Sequence, residues 1–264
     1  MTGPPPTVLS AFGADDGSVP LAGGEGLAHR SGDVVLKQVH DVDEAAWVQE
    51  LLSRIEPTGV RLPTPVPTTD GLWVHEGWAA ARFIDGLRPA APSWDEIIDA
   101  GLRFTEAADA ARVGGREVLA RRSHRWAVAD RAAWGEASVE LSGAAEEARH
   151  RISALLGDAL DEEHVVHGDL SGNVHVDPEG IPVVLDVSPY LRPRRWAAAI
   201  VTADAVLWHG ADASLAVAFA SSPHGCDLLG RALLFRLIAE QLADDPRHHA
   251  SVDPYRMVIA ALGH

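Results

Sequence analysis

The stretch HVVHGDLSGNVHVDPEGIPVVLDVSPYLRP, residues 164–193, decides how this chain is read. It alternates short β-branched runs with polar turns. A strand is expected at His164–Val166, a polar loop after it, a second strand at Val174–Val176, a turn at Asp177–Gly180 and a third strand ending at Asp186. The loop residues that follow His167 leave the first strand together, and the returning strand is expected to carry Asp186 back beside them, so Asp169, Asn173 and Asp186 are expected to converge. Phosphoryl transfer asks little covalent chemistry of a protein. It needs a carboxylate near an attacking hydroxyl and oxygen ligands that hold Mg²⁺ against nucleotide phosphates. Asp169, Asn173 and Asp186 have those chemistries.

Upstream, PLAGGEGLAHRSGDVVLKQVHD (20–41) reads as strand, glycine turn, strand, Gly-Asp turn and strand. Alternation in the last of these puts Val35, Lys37 and Val39 on one face, so the Lys37 ammonium needs an anion among its apolar neighbours. Asp43 is expected to cap a helix over 43–55, with Ala46, Val48, Leu51, Leu52 and Ile55 on its apolar side, stopped by Pro57 and Gly59. Two further strands and the Asp70–Gly71 turn lead to a Pro/Gly-rich crossover, and the lobe boundary is placed near Asp85–Gly86. Beyond it the chain is Ala-rich. Apolar spacing predicts helices over 93–112, 115–140 and 143–160, and a helical tail follows the 164–186 segment.

Composition limits the partners. With 264 residues, 47% of them hydrophobic, the chain can bury a substantial core as two packed lobes. A net charge of −16 repels nucleic acid and anionic membranes and accommodates a cation. Cys226 is the one cysteine, and the MTGPPPTV start has neither a basic n-region nor an apolar h-region, which points to a reducing cytoplasm. The apolar stretch 196–220 is interrupted by Asp204, His209 and Asp212 and fits buried helices better than a membrane span.

The HGDLSGN loop with the VVLD strand end resembles the catalytic and metal-binding loops of the aminoglycoside phosphotransferase group within the protein-kinase-like superfamily. PYLRP, GGEG and DVVLK are similar to an actinobacterial branch of that group. The resemblance extends along most of the chain. It implies an α+β, two-lobed protein-kinase-like fold: a small β-rich N-lobe with one helix (1–85), which binds nucleotide, and a larger, mainly helical C-lobe (86–264). It further implies ATP and Mg²⁺ as cofactors, with the γ-phosphoryl group passing to a hydroxyl of an aminoglycoside-, choline- or sugar-like molecule. By residue, it implies Asp169 as catalytic base, His167 as a shaper of the loop, and Asn173 and Asp186 as Mg²⁺ ligands. Lys37 would meet the phosphates and be held by Glu44, with Glu50 as second choice. Gly24 and Gly26 would cover the phosphates, and backbone groups at Arg82, Phe83 and Ile84 would read the adenine. Asp204 resembles a buttressing aspartate, although a helix-surface carboxylate is the simpler expectation. The run Arg192, Arg194, Arg195 is expected on a solvated rim.

The loop departs from the family pattern H-x-D-x-x-x-x-N, because three residues, 170–172, separate Asp169 from Asn173 instead of four. Gly172 can tighten the path. The short loop and the incomplete glycine motif keep open a nucleotide-binding, pseudokinase-like regulator without transferase activity. The histidines match no zinc spacing and no G-x-S-x-G is present, which argues against those chemistries.

Overall fold

The computed structural model describes residues 3–15, 17–21, 27–89, 93–111, 113–157, 163–243 and 251–263. In chain order the elements are α1 (Pro6–Ala11), β1 (Val19–Pro20), β2 (Ala28–Ser31), β3 (Val34–Gln38), α2 (Val42–Arg54), β4 (Pro65–Val66), β5 (Val74–His75), β6 (Trp78–Arg82) and β7 (Arg88–Pro89). The helices α3 (Trp94–Ala111), α4 (Arg116–Ala120), α5 (Arg125–Ala133) and α6 (Gly143–Ser153) follow. Then come β8 (His164–His167), β9 (Val174–Val176), β10 (Pro182–Val184), β11 (Pro189–Arg192), α7 (Trp196–Trp208), α8 (Ser214–Ala220), α9 (Gly225–Gln241) and α10 (Asp253–Ala261). This is the expected α+β class. Contacts group the chain into two compact units: residues 1–91, 103–120 and 172–189 in the first, and 92–102, 121–171 and 190–264 in the second. The first unit therefore runs past the expected boundary at 85–86 and takes back two later segments.

In the first unit an antiparallel sheet orders its strands β1-β2-β3-β6-β4, with β5 also on β6. A second, three-stranded sheet orders β10-β9-β7. Val34 and Leu36 of β3 point into a core with Val66, Trp78 and Ala80. That core is completed by Val8 and Leu9 of α1 and by Phe12, its C-cap; the β-rich, one-helix reading of residues 1–85 does not anticipate α1. Its signal is local: Pro6 at the first helical position and apolar residues at i, i+1 and i+4. Burying each of those side chains contributes roughly 1.5–3 kcal/mol. The α2 helix starts at Val42, and its cap is Asp41 in place of the expected Asp43: the Asp41 side chain accepts the Glu44 N–H at 2.9 Å.

In the second unit α5, α6, α7 and α8 pack around α9, whose residues are buried along nearly its whole length. The expected helix over 115–140 is broken into α4 and α5, because the His124 ring accepts the Ala127 N–H and caps a new start. Rings of Tyr190, Trp196 and Phe235 meet at centroid distances of 5.4–5.8 Å at the centre of this unit. Among the described residues no helix is long and apolar enough to cross a membrane.

Candidate active site

The first unit assembles three of the expected residues. Residues Val174–Val176 of β9 pair antiparallel with Pro182–Val184 of β10. Past the end of that ladder the Leu185 N–H donates to the Asn173 carbonyl at 2.8 Å, which sets Asn173 across from Leu185 and next to Asp186. The hairpin is pinned at its turn. Buried Asp177 accepts the N–H groups of Glu179 and Ile181 through Oδ1, and the Arg61 guanidinium pairs with Asp177 at 2.5 Å and with Glu179 at 2.7 Å. The third strand ends at Val184, two residues before the expected Asp186, because Asp186 adopts φ +44. A left-handed conformation in a non-glycine residue costs of order 1 kcal/mol or more and turns the chain out of the ladder.

Lys37 lies between Ala28 and Ala79 of the neighbouring strands, and its Nζ is 2.8 Å from Asp186 Oδ1. The expected ion pair with Glu44 or Glu50 is replaced by this one. The Asp41 cap fixes Glu44 in the first turn of α2, and the Glu50 carboxylate takes the Trp73 indole N–H at 2.9 Å together with Arg54. At the crossover, the N–H groups of Arg82 and Phe83 donate to the carbonyls of Thr64 and Asp33, both at 2.8 Å, while the Arg30 guanidinium lies 3.7 Å over the Phe83 ring. Among the described residues, Ile84 alone of these three has an N–H without a hydrogen bond. Gly24 and Gly26 lie outside the described residues.

The second unit holds the other two. His167 ends β8, fully buried, and its Nδ1 accepts the Asp169 N–H at 3.0 Å. Gly168 has no room for a side chain, since a Cβ there would come within 2.3 Å of the Tyr190 ring. Leu170 is buried against Gly101. The residues on either side of Asp169 are thus locked inward, and its own side chain stands out with 52% exposure. One carboxylate oxygen lies 3.5 Å from Nη2 of Arg236.

That arginine, from α9, is absent from the sequence reading and corrects the expectation for Asp204. Far from lying on a helix surface, Asp204 is buried and paired with Arg236 at 2.7 and 2.6 Å. The signal was present: α7 is apolar on all sides, so any carboxylate in it must meet a cation. Arg192 is likewise no rim residue. It is nearly buried and clamps Asp130 and Glu136, and the two carboxylates hold its guanidinium well above the usual range against the opposing effect of burial.

Mg²⁺ prefers hard oxygen ligands, retains several waters and takes one or two protein donors beside the phosphates. The Asp186 carboxylate and the Asn173 amide supply that donor type. Among the described residues Asp186 Oδ2 accepts no hydrogen bond, and no group of three or more His, Cys, Asp or Glu side chains competes for a metal. The residues fit the ion.

The small antiparallel sheet with α2, the helical second unit and the strand-loop-hairpin order from β8 to β10 define a protein-kinase-like fold. Solved structures bear this out. The chain is similar to aminoglycoside phosphotransferase APH(4)-Ia, with a TM-score of 0.59 and 13% identity over 97% of each chain. It is similar to a thermostable mutant of that enzyme in ternary complex with AMP-PNP and hygromycin B, with a TM-score of 0.58 and 13% identity over 96% of each. Choline kinase LicA from Streptococcus pneumoniae gives 0.53 at 12% identity, over 97% of this chain and 96% of that one. No family model matches the chain, and no curated protein matches it at significance.

Proposed function

We propose that this protein is an ATP-dependent phosphotransferase that moves the γ-phosphoryl group of Mg·ATP to a hydroxyl of a small molecule. The observation that carries the reading is that Lys37 and Asp186, 149 residues apart, meet at 2.8 Å beside Asn173. In this reading Lys37 neutralises and orients the nucleotide phosphates, and Asn173 and Asp186 hold Mg²⁺. Bound there, the ion would offset the charge on the phosphate oxygens. Asp169 orients the acceptor hydroxyl and takes its proton, and His167 sets the turn that presents Asp169. Ile84, whose N–H has no hydrogen bond among the described residues, is the first candidate to read the adenine edge. The solved structures of similar fold carry AMP-PNP with hygromycin B, or bear the name choline kinase, which supports nucleotide use and an aminoglycoside-, choline- or sugar-like acceptor. The charge of −16 would tolerate a cationic acceptor in the cytoplasm.

One observation favours a second reading, a nucleotide-binding regulator without turnover: the loop between Asp169 and Asn173 is a residue short of the kinase pattern. Incubating the protein with Mg·ATP and a panel of hydroxylated metabolites and antibiotics separates the two. Phosphorylated product formed by the wild type and lost in Asp169→Asn supports transfer. Nucleotide binding without product on any acceptor supports the regulator, and absence of binding overturns both.

A further inference from the structure

We infer that Arg236 is a positioning residue for Asp169, sharing one guanidinium between the buried Asp204 and the exposed carboxylate above it. The inference rests on the reading of Asp169 as the base. Arg236 and Asp204 are 3% and 1% exposed and are joined by two short contacts, Nε to Oδ1 at 2.7 Å and Nη2 to Oδ2 at 2.6 Å. The same Nη2 is 3.5 Å from Asp169 Oδ1. Aromatic rings confine the guanidinium: those of Phe235, Trp208 and Trp126 stand 5.0, 5.3 and 5.4 Å from Cζ. One turn further along α9, Glu240 accepts the Tyr255 hydroxyl at 2.6 Å and adds a negative charge near the arginine.

Packing alone does not call for this arrangement. A buried ion pair can often be exchanged for well-packed apolar residues of similar volume without loss of stability. What such an exchange removes here is the third contact. The backbone of Asp169 is fixed by His167 below and by Leu170 beyond, and what restrains its half-exposed side chain about χ1 includes the Arg236 contact. A guanidinium held rigidly beside one carboxylate oxygen restrains that rotation. The planar fork of arginine can serve both carboxylates, whereas lysine offers a single point charge.

Replacing Arg236 alone strands the Asp204 charge and is expected to unfold the protein, so the informative variant removes both charges, Arg236→Met with Asp204→Leu. Arg236→Lys is its conservative companion. The first readout needs no turnover: the χ1 rotamer of Asp169 in the full chain, from heteronuclear couplings, with the Asp169 resonances identified by their loss in Asp169→Asn. One rotamer is expected in the wild type, averaging in the double variant and partial averaging in Arg236→Lys. The second is phosphate release from Mg·ATP with water as acceptor, where kcat falls roughly 10- to 100-fold in the double variant while KM for ATP stays within about twofold. An unchanged Asp169 rotamer in the folded double variant overturns the proposal. So does an unchanged kcat when Asp169→Asn abolishes release. If Asp169→Asn leaves release intact, the base assignment fails instead, and the rotamer measurement still decides whether Arg236 positions Asp169.

Discussion

Lys37 Nζ and Asp186 Oδ1 stand 2.8 Å apart and tie the central strand of the first sheet to the residue that turns out of the β9–β10 hairpin. Both side chains are 43% exposed, so the pair itself contributes no more than about 1 kcal/mol to folding. Its value lies in what it presents to a ligand. Lys37→Ala and Asp186→Ala are therefore expected to lower the melting temperature of the free protein by no more than about 2–4 °C. Mg·ATP at about 100 times its dissociation constant should raise the wild-type melting temperature by roughly 5–10 °C, and that rise should be absent from both variants. Scanning calorimetry with nucleotide, and with nucleotide plus chelator, checks this; a full rise in either variant would remove the pair from the nucleotide site.

The two glycines that flank Asp169 at 168 and 172 are expected to respond differently to alanine. At Gly168 a Cβ would drive into the Tyr190 ring at 2.3 Å, so Gly168→Ala overpacks the loop, costing about 1–3 kcal/mol and displacing Asp169. At Gly172 no atom lies within 4 Å of a Cβ, but φ is +87, so Gly172→Ala costs about 1 kcal/mol through backbone strain alone. Urea unfolding should rank the variants in that order. Phosphoryl transfer should fall further in Gly168→Ala than its stability loss accounts for, and equal effects at both positions would refute the steric argument.

Burial pushes the Glu240 carboxyl above its ordinary value of 4.5, against the opposing hydrogen bonds of Tyr255 and Trp208 and the charge of Arg236. A carboxyl that holds its proton more tightly in the folded chain favours folding at low pH, and that contribution is lost as pH rises from about 4.5 through the raised value. Glu240→Gln carries no titrating proton, and its side-chain oxygen can still accept the Tyr255 hydroxyl. Its stability relative to the wild type should therefore improve as pH rises above about 4.5 toward neutrality. Denaturant midpoints at acid and neutral pH measure the effect, and parallel curves for the two proteins would show that Glu240 is not perturbed in this way.

Where the sequence was legible, the reason is local. Turn chemistry and β-branched runs located the strands and loop between His164 and Asp186, and the strand with Lys37, because neighbouring residues set those conformations. The cap of α2 is Asp41, two residues ahead of the expected Asp43, because it is the Asp41 side chain that accepts the Glu44 N–H. The local signal for α1 is weak because its apolar residues span barely one turn, and they pack with Leu36 and Trp78, which lie far along the chain.

By itself, the sequence determined the α+β class, the order of the chemical groups in HGDLSGN and VVLD, and the presence of a lysine that needed an anion. Tertiary structure decided which anion that was, choosing Asp186 over two glutamates much nearer in the chain. It also decided that Asp204 is an interior group and that Arg236 joins it to Asp169. The physical reason is that a backbone conformation is chosen by its immediate neighbours, whereas an ion pair is chosen by which charges the packed core leaves within reach and shields from water.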